Sequence, residues 1–564
     1  MRPFRLITNF FVLLAFVLSY PFRLLRARRR PTFIRFTVEG DLPWRDVARR
    51  RLPFTARPDP TQALSLESLR VQLAALANDA RVQGIILSIK DTALPPAKMD
   101  TLRRLLEGFR ATGKRVVGHA VAASNADYEA LCLTDWITLP SGGRVDLTGF
   151  AVETTHLAKA LKRFGVTAHF IRRGDYKTAP ELFTHESLSD IQRQTLEALV
   201  DDRYRRLVTR VAAGRKLTEL EVQAKVDGGP YSARRAVAEG LVDALVSEAD
   251  LPKYLGKGTD AVIGAYGAWE RAHPAAPPAW RPLRRRVRVG LVKLDGMIVS
   301  GKTGGFSPMG RLAPSEVTCR QLRAASEDSR VAAVVFQISS PGGSAIASEE
   351  ILEEARRAAQ KKPLIAYCER VAASGGYMAA LGAQEIWSDP HAILGSIGVF
   401  AGKFDVSALL ARVGISRSVI QRGAHAAIFS STRGLNESER AALEAEVEET
   451  YQAFLEHVAV ARKQTRAEVH SKAEGRVFSG ERARALGLVD SLGGLEEAAV
   501  RALELAGVRG REFDFASYGG KLAQVPWVSL LQRLGGAQLY TLMWPTWRFI
   551  LPLPHQDGGG LEGV

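Results

Sequence analysis

"DARVQGIILSI" (Asp79–Ile89) and "DSRVAAVVFQI" (Asp328–Ile338) are two passes over one pattern, and their repetition decides the fold. GIILSI and AVVFQI are short, β-branched apolar runs, as strands buried on both faces of a parallel sheet should be. Other matches keep the same spacing. "VAAS" ends at Ser124 and again at Ser374, "LCLTDWITLP" (Leu131–Pro140) matches "LGAQEIWSDP" (Leu381–Pro390), and "AEGLVDAL" (Ala238–Leu245) matches "ALGLVDSL" (Ala485–Leu492), at an offset near 250 residues. A period this long means two related domains, not a solenoid.

Each half reads as α/β. Amphipathic helices such as "SEEILEEARRAAQ" follow the strands and lead into further strands such as "PLIAYC", so right-handed βαβ units are predicted. A chain of 564 residues is too long for one core. The expected division is a membrane anchor with a basic flank over 1–30, an N-terminal domain over 31–255 and a Pro/Ala-rich linker over 256–286. A C-terminal domain over 287–510 and a tail over 511–564 of unassigned role follow. "GKTGGFSPMG" near Gly301 reads as a mobile loop, and Cys132, Cys319 and Cys368 are too few for a disulfide framework.

The formal charge is +17, but the basic residues cluster beside an apolar segment (Arg2, Arg5, Arg23, Arg26 and Arg28–Arg30) and in the linker (Arg281–Arg288). Nucleic acid would call for a basic folded face or a recognised motif, so it is not an expected partner, whereas anionic lipid headgroups are. No charged residue falls between Leu6 and Phe22, 17 residues, near the lower limit for a membrane span. No small-x-small cleavage site follows, which favours an uncleaved anchor. By the positive-inside rule the basic cluster after the span favours a cytoplasmic body.

The chemistry centres on "VAASGGYMAA" (Val371–Ala380). Ser374 follows a strand and opens a helix-like stretch, with Gly375 next to it to offer an unobstructed N–H to an oxyanion. Upstream, "SSPGGSA" (Ser339–Ala345) ends a strand; Gly342 and Gly343 let the backbone approach a ligand and supply a second N–H. A histidine base has one nearby candidate, His391, in a loop beside Asp389. The two halves differ in a complementary way. The first has Ser124 but no Gly-Gly after it, and "KDTAL" in place of "SSPGG". It carries "RRGDYKTAPELF" (Arg172–Phe183), where the second half reads "QRGAHAAIF" (Gln421–Phe429) with Ala426 opposite Lys177. One half keeps the nucleophile and the other keeps a lysine, which points to Lys177 as the base of a site drawn from both halves, with Ser396 in "LGSIGVF" as its hydrogen-bond partner. Such a lysine must be desolvated or placed near positive charge to work near neutral pH.

At "GDYK", "SPGG", "ASGGY" and "GSIGV" the chain resembles the long, two-domain form of bacterial signal peptide peptidase, or protease IV, over roughly Arg35–Leu505. The resemblance implies a Clp-protease/crotonase-like fold and a membrane-associated serine endopeptidase that degrades cleaved signal peptides and other hydrophobic peptides. It implies Ser374 as nucleophile, Lys177 as general base, Ser396 as its support, and Gly375 with Gly342 or Gly343 as the oxyanion hole. It also implies no metal or other cofactor, a homotetramer, and a catalytic body on the periplasmic side of the inner membrane, opposite to the flanking charges. Two rival readings share the fold. A crotonase-type acyl-CoA enzyme would need carboxylates beside the PGG loop, where only Glu349 and Glu350 stand. A catalytically inactive membrane scaffold would not need the intact lysine, serine and glycine pairs.

Overall fold

The computed structural model describes residues 31–44, 64–256, 259–272, 286–302, 305–307, 310–510 and 512–518, and five positions between 10 and 18. Most of the expected anchor and tail therefore lies outside the described residues. Among those described, no helix is long and apolar enough to cross a membrane.

The described chain forms two compact units, one from 31–150 and 203–286, the other from 151–202 and 287–518. Both are α/β, each built on a mainly parallel sheet. In the first unit six strands lie in the order Ile263–Ala265, Phe33–Gly40, Gly84–Thr92, Arg115–His119, Trp136–Leu139, Ala244–Leu245, all pairs parallel. Ile85, Ile86 and Leu87 of GIILSI are fully buried, as a two-faced burial requires.

The second unit's main sheet runs Val477–Ser479, Ile393–Gly395, Leu364–Ala373, Val331–Ser340, Val287–Asp295, Phe513–Ser517; Glu385–Ser388 branches off Leu364–Ala373. Only the Ile393–Gly395/Val477–Ser479 pair in this sheet is antiparallel. Val334, Val335 and Phe336 of AVVFQI are fully buried. The helix Ala345–Lys361 starts on a Ser344 cap, whose side chain accepts from Ala347 N, and buries Ile351, Leu352, Ala355 and Ala358 against the sheet.

Four features differ from the linear reading. The first-half segment 151–202 packs with the second half, because its strand Thr167–Arg173 pairs antiparallel with Val399–Asp405. The body extends past 255: Ile263–Ala265 joins the first sheet, and Trp269 is buried with its Nε1 donating to Asp79 Oδ2 at 2.8 Å. The body also extends past 510, since Phe513–Ser517 forms an edge strand against Val287–Leu291. Within the stretch read as a mobile loop, Gly305–Ser307 pairs with Gly310–Leu312.

Candidate active site

Ser124 and Ser374 stand at the same point of the repeat, after a strand and before a short helix, and the backbone treats them differently. Ser124 has ordinary extended dihedrals (φ −67, ψ 175) and caps its helix; its hydroxyl donates to Asp127 Oδ2 at 2.6 Å. Ser374 sits at φ +54, ψ −122, makes no side-chain cap, and is held by its own N–H donating to Gly395 O at 2.8 Å and by Met378 N donating to its carbonyl at 2.9 Å. A positive φ at a non-glycine residue is strained, and such strain gathers where the surroundings impose it for a purpose. The Ser374 hydroxyl makes no cap to the helix it precedes and instead lies 3.0 Å from Lys177 Nζ.

The glycines around it explain how the backbone comes so close. Gly342, at φ +101, lies against the serine: a Cβ there would stand 2.8 Å from both Ser374 Cβ and Gly375 N. A Cβ on Gly375 would overlap Ser348 Oγ, and one on Gly343 would overlap the Ile298 carbonyl. Ser340 Oγ accepts from Gly342 N at 3.2 Å, and Ile298 N donates to Gly342 O at 2.8 Å, so the PGG turn is fixed from both sides.

Lys177 reaches this serine from sequence 197 positions away, within the same compact unit. Its Nζ lies 3.0 Å from Ser374 Oγ, 2.9 Å from Ser396 Oγ and 2.9 Å from the Ser396 carbonyl oxygen. The side chain is buried, and burial alone lowers its pKa from 10.5 to about 7. A neutral amine has two N–H donors and one lone pair. Two donors satisfy the two Ser396 acceptors, which leaves the lone pair for the Ser374 hydroxyl proton. Three partners thus match the bonding capacity of a neutral lysine.

The lysine is positioned by a turn for which the sequence offers no local signal, Glu474–Gly475–Arg476. Tyr176 N donates to Glu474 O at 2.8 Å, and Ser396 N donates to Arg476 O at 2.6 Å. One short turn therefore holds the residue before the lysine and also the serine that receives its amine. Glu474 adopts φ +54, and a Cβ on Gly475 would overlap the Lys177 backbone. The Arg476 guanidinium stacks 4.0 Å from the Tyr176 ring centroid, over the same loop. These residues lie some 300 positions from Lys177 in sequence, so only the tertiary fold pairs them.

His391 sits half-buried in a loop, with its backbone N–H donating to Asp389 Oδ1 at 2.9 Å. The side chain within hydrogen-bond distance of Ser374 Oγ is that of Lys177, at 3.0 Å. Glu349 is exposed and faces His457, whose Nε2 is 3.3 Å from Glu349 Oε1, as a solvated helix residue does. Among the described residues no group of His, Cys, Asp and Glu is arranged to hold a metal ion.

Comparison with known proteins places the chain in a family. The model of peptidase family S49 matches twice, over residues 109–261 and 356–509, one match in each half of the repeat. Protease 4 of Salmonella typhi is 30% identical over 477 residues, covering 82% of this chain and 75% of its own length. Protease 4 of Haemophilus influenzae is 29% identical, covering 77% of this chain and 71% of its own. The chloroplastic serine protease SPPA of Arabidopsis thaliana is 26% identical, covering 79% and 66%. Neither the acyl-CoA reading nor the inactive scaffold finds support among these relatives. With two S49 regions in tandem and relatives of this kind along most of its length, the chain belongs to peptidase family S49 and is a serine peptidase of the two-domain signal peptide peptidase, or protease IV, type.

Proposed function

We propose that this peptidase works through a Ser374–Lys177 dyad. The observation that carries the reading is the buried Lys177 amine 3.0 Å from Ser374 Oγ, with its other two partners both on Ser396. Ser374 Oγ attacks the scissile carbonyl as its proton passes to Lys177 Nζ. The carbonyl electron pair moves to oxygen, where Gly375 N–H and one N–H of the Gly342–Gly343 pair receive the negative charge. Lys177 then returns the proton to the leaving amine as the C–N bond breaks. In the second stage it deprotonates a water that attacks the acyl-enzyme, and the same proton restores the Ser374 hydroxyl. No cofactor enters either stage, and Ser396 keeps the amine in line through both.

The substrates on this reading are hydrophobic peptides such as cleaved signal peptides, in keeping with relatives named as signal peptide peptidase and protease 4. On this reading the fold is a pair of Clp/crotonase-like domains. The enzyme works at the bacterial inner membrane, anchored through its N-terminal apolar segment with lipid as a partner, the catalytic body is periplasmic, and the chains assemble as a homotetramer. A fluorophosphonate probe tests the dyad: mass spectrometry should find the label on Ser374, and Lys177→Ala should slow labelling at least a hundredfold. A label on another serine, or full-rate labelling without Lys177, would remove the basis of the proposal.

A further inference from the structure

The repeat holds a second complementary pair beside the dyad. "TELEVQAKVDGGPYS" (Thr218–Ser232) aligns without a gap on "TRAEVHSKAEGRVFS" (Thr465–Ser479), and Gly229 stands where the second stretch has Arg476. "GDYK" (Gly174–Lys177) likewise aligns with "GAHA" (Gly423–Ala426), so His425 stands where the first half has Tyr176. Tyr176 comes from the half that keeps the lysine, and Arg476 from the half that keeps the nucleophile. In the fold the two meet, with the Arg476 guanidinium 4.0 Å from the Tyr176 ring centroid.

The aligned backbones part at this point. In the first half the helix runs Glu219–Asp227 and ends on Gly228 at φ −80. In the second the helix stops at Lys472, Glu474 turns to φ +54 and Gly475 to φ +81. A non-glycine residue stays in the left-handed region because its surroundings hold it there. Arg476 supplies two of the ties: its Nη1 donates to the Ser471 carbonyl at 2.8 Å, and its Nη2 pairs with Glu474 Oε2 at 3.0 Å. A third comes from Tyr451, whose Oη accepts from Glu474 N at 3.4 Å and lies 2.9 Å from His470 Nδ1. Arg476 thereby touches both arms of the base. Its carbonyl takes the Ser396 N–H at 2.6 Å, and its side chain covers Tyr176, the residue before Lys177.

We propose that Arg476 is a positioning residue for the general base: stacked on Tyr176 while its carbonyl holds Ser396, it keeps the Lys177 amine buried between Ser374 and Ser396. The inference rests on the dyad reading above. A planar, weakly hydrated cation suits the place, since it lies flat on an aromatic ring and still bonds a carbonyl and a carboxylate at its edge. The charges around the lysine are paired or in solvent. Glu474 pairs with Arg476 and has His470 Nε2 4.0 Å away, Arg172 pairs with Glu181 at 2.8 Å, Arg173 pairs with Glu448, and Asp175 is exposed. Loss of the clamp therefore acts on the lysine through water. A loosened Tyr176–Lys177 segment lets solvent reach Nζ, and a solvated amine returns toward its ordinary basicity.

The test is the pH profile of kcat/KM for a fluorogenic apolar peptide in full-length wild type, Arg476→Gln, Arg476→Lys and Tyr176→Leu. Rates are taken per active site counted with a fluorophosphonate, so a lower yield of folded enzyme does not enter. The wild-type midpoint near 7 should rise by about one unit in each variant, a loss of about fivefold at pH 7 that is largely recovered by pH 9.5. Arg476→Lys keeps the charge without the plane and should shift with the others; a wild-type midpoint in this variant overturns the positioning role. The Arg476→Gln/Tyr176→Leu double variant should shift no further than either single one, since both break one contact, and additive shifts overturn the proposal. Unmoved midpoints in Arg476→Gln and Tyr176→Leu overturn it as well, and Tyr176→Leu alone decides if Arg476→Gln does not fold. Lys177→Ala separates the two failures. If that enzyme keeps its turnover the dyad reading falls, whereas an inactive Lys177→Ala beside unmoved midpoints removes the role of Arg476 alone.

Discussion

Titration of one lysine should govern both the rate and the stability of this enzyme. With a pKa near 7, Lys177 is neutral in about a tenth of molecules at pH 6, half at pH 7 and nine-tenths at pH 8. The specificity constant for a fluorogenic apolar peptide should then rise about tenfold from pH 6 to 8 and level off above pH 8. A lysine left at its ordinary value would be neutral in only about one molecule in 3,000 at pH 7, and the rate would keep climbing about tenfold per unit to pH 10. Stability moves with the same proton. The unfolded lysine titrates near 10.5 and the folded one near 7, so between those values the unfolded state holds more protons and stability rises with pH. The burial cost is complete below pH 7 and gone above 10.5, about 5 kcal/mol across the window at most. Lys177→Met removes it, so the variant should gain stability over wild type in denaturant melts at pH 6.5, and the gap should shrink by pH 9.5. A rate that is flat from pH 6 to 8, or that climbs without a plateau to pH 10, refutes the desolvated-base reasoning. A stability gap independent of pH does so as well.

Three further outcomes follow from the geometry. Ser374→Gly and Ser374→Ala should both lose hydrolysis, but the glycine variant should be the more stable by about 1 kcal/mol, since glycine takes φ +54 without strain; equal melts would deny the strain. Ser124→Ala should keep its turnover and lose about 1 kcal/mol of stability, the value of a helix cap; lost turnover in a folded protein would reverse the assignment of the halves. Ser396→Ala should lower kcat about tenfold to a hundredfold with little change in KM, because the carbonyl of residue 396 still holds the amine while one acceptor is gone; an unchanged kcat would free Ser396 of any positioning role.

Much of this was legible in the linear chain because the repeat supplies its own comparison. Aligning Ser124 with Ser374, and Lys177 with Ala426, exposed what each half had kept, and the two retained groups meet in the fold. The β-branched runs were readable as strands since burial on both faces leaves no polar alternation to confuse them. Other features were hidden for physical reasons. The transfer of segment 151–202 into the second unit depends on the pairing of Thr167–Arg173 with Val399–Asp405, and no local pattern names a strand's partner more than 200 residues away. The Glu474–Arg476 turn acts through its backbone, so its residue types carry little trace of what it holds. Phe513–Ser517 is a single short edge strand, and nothing in "FDFAS" distinguishes it from a tail.

The most direct measurement compares hydrolysis of a fluorogenic apolar peptide by wild type, Ser374→Ala, Lys177→Ala and His391→Ala, each checked for folding by circular dichroism. The expected result is that Ser374→Ala and Lys177→Ala each abolish turnover while His391→Ala retains it. An active Lys177→Ala enzyme, with activity lost instead in His391→Ala, would contradict the dyad and place the base within the second half of the chain.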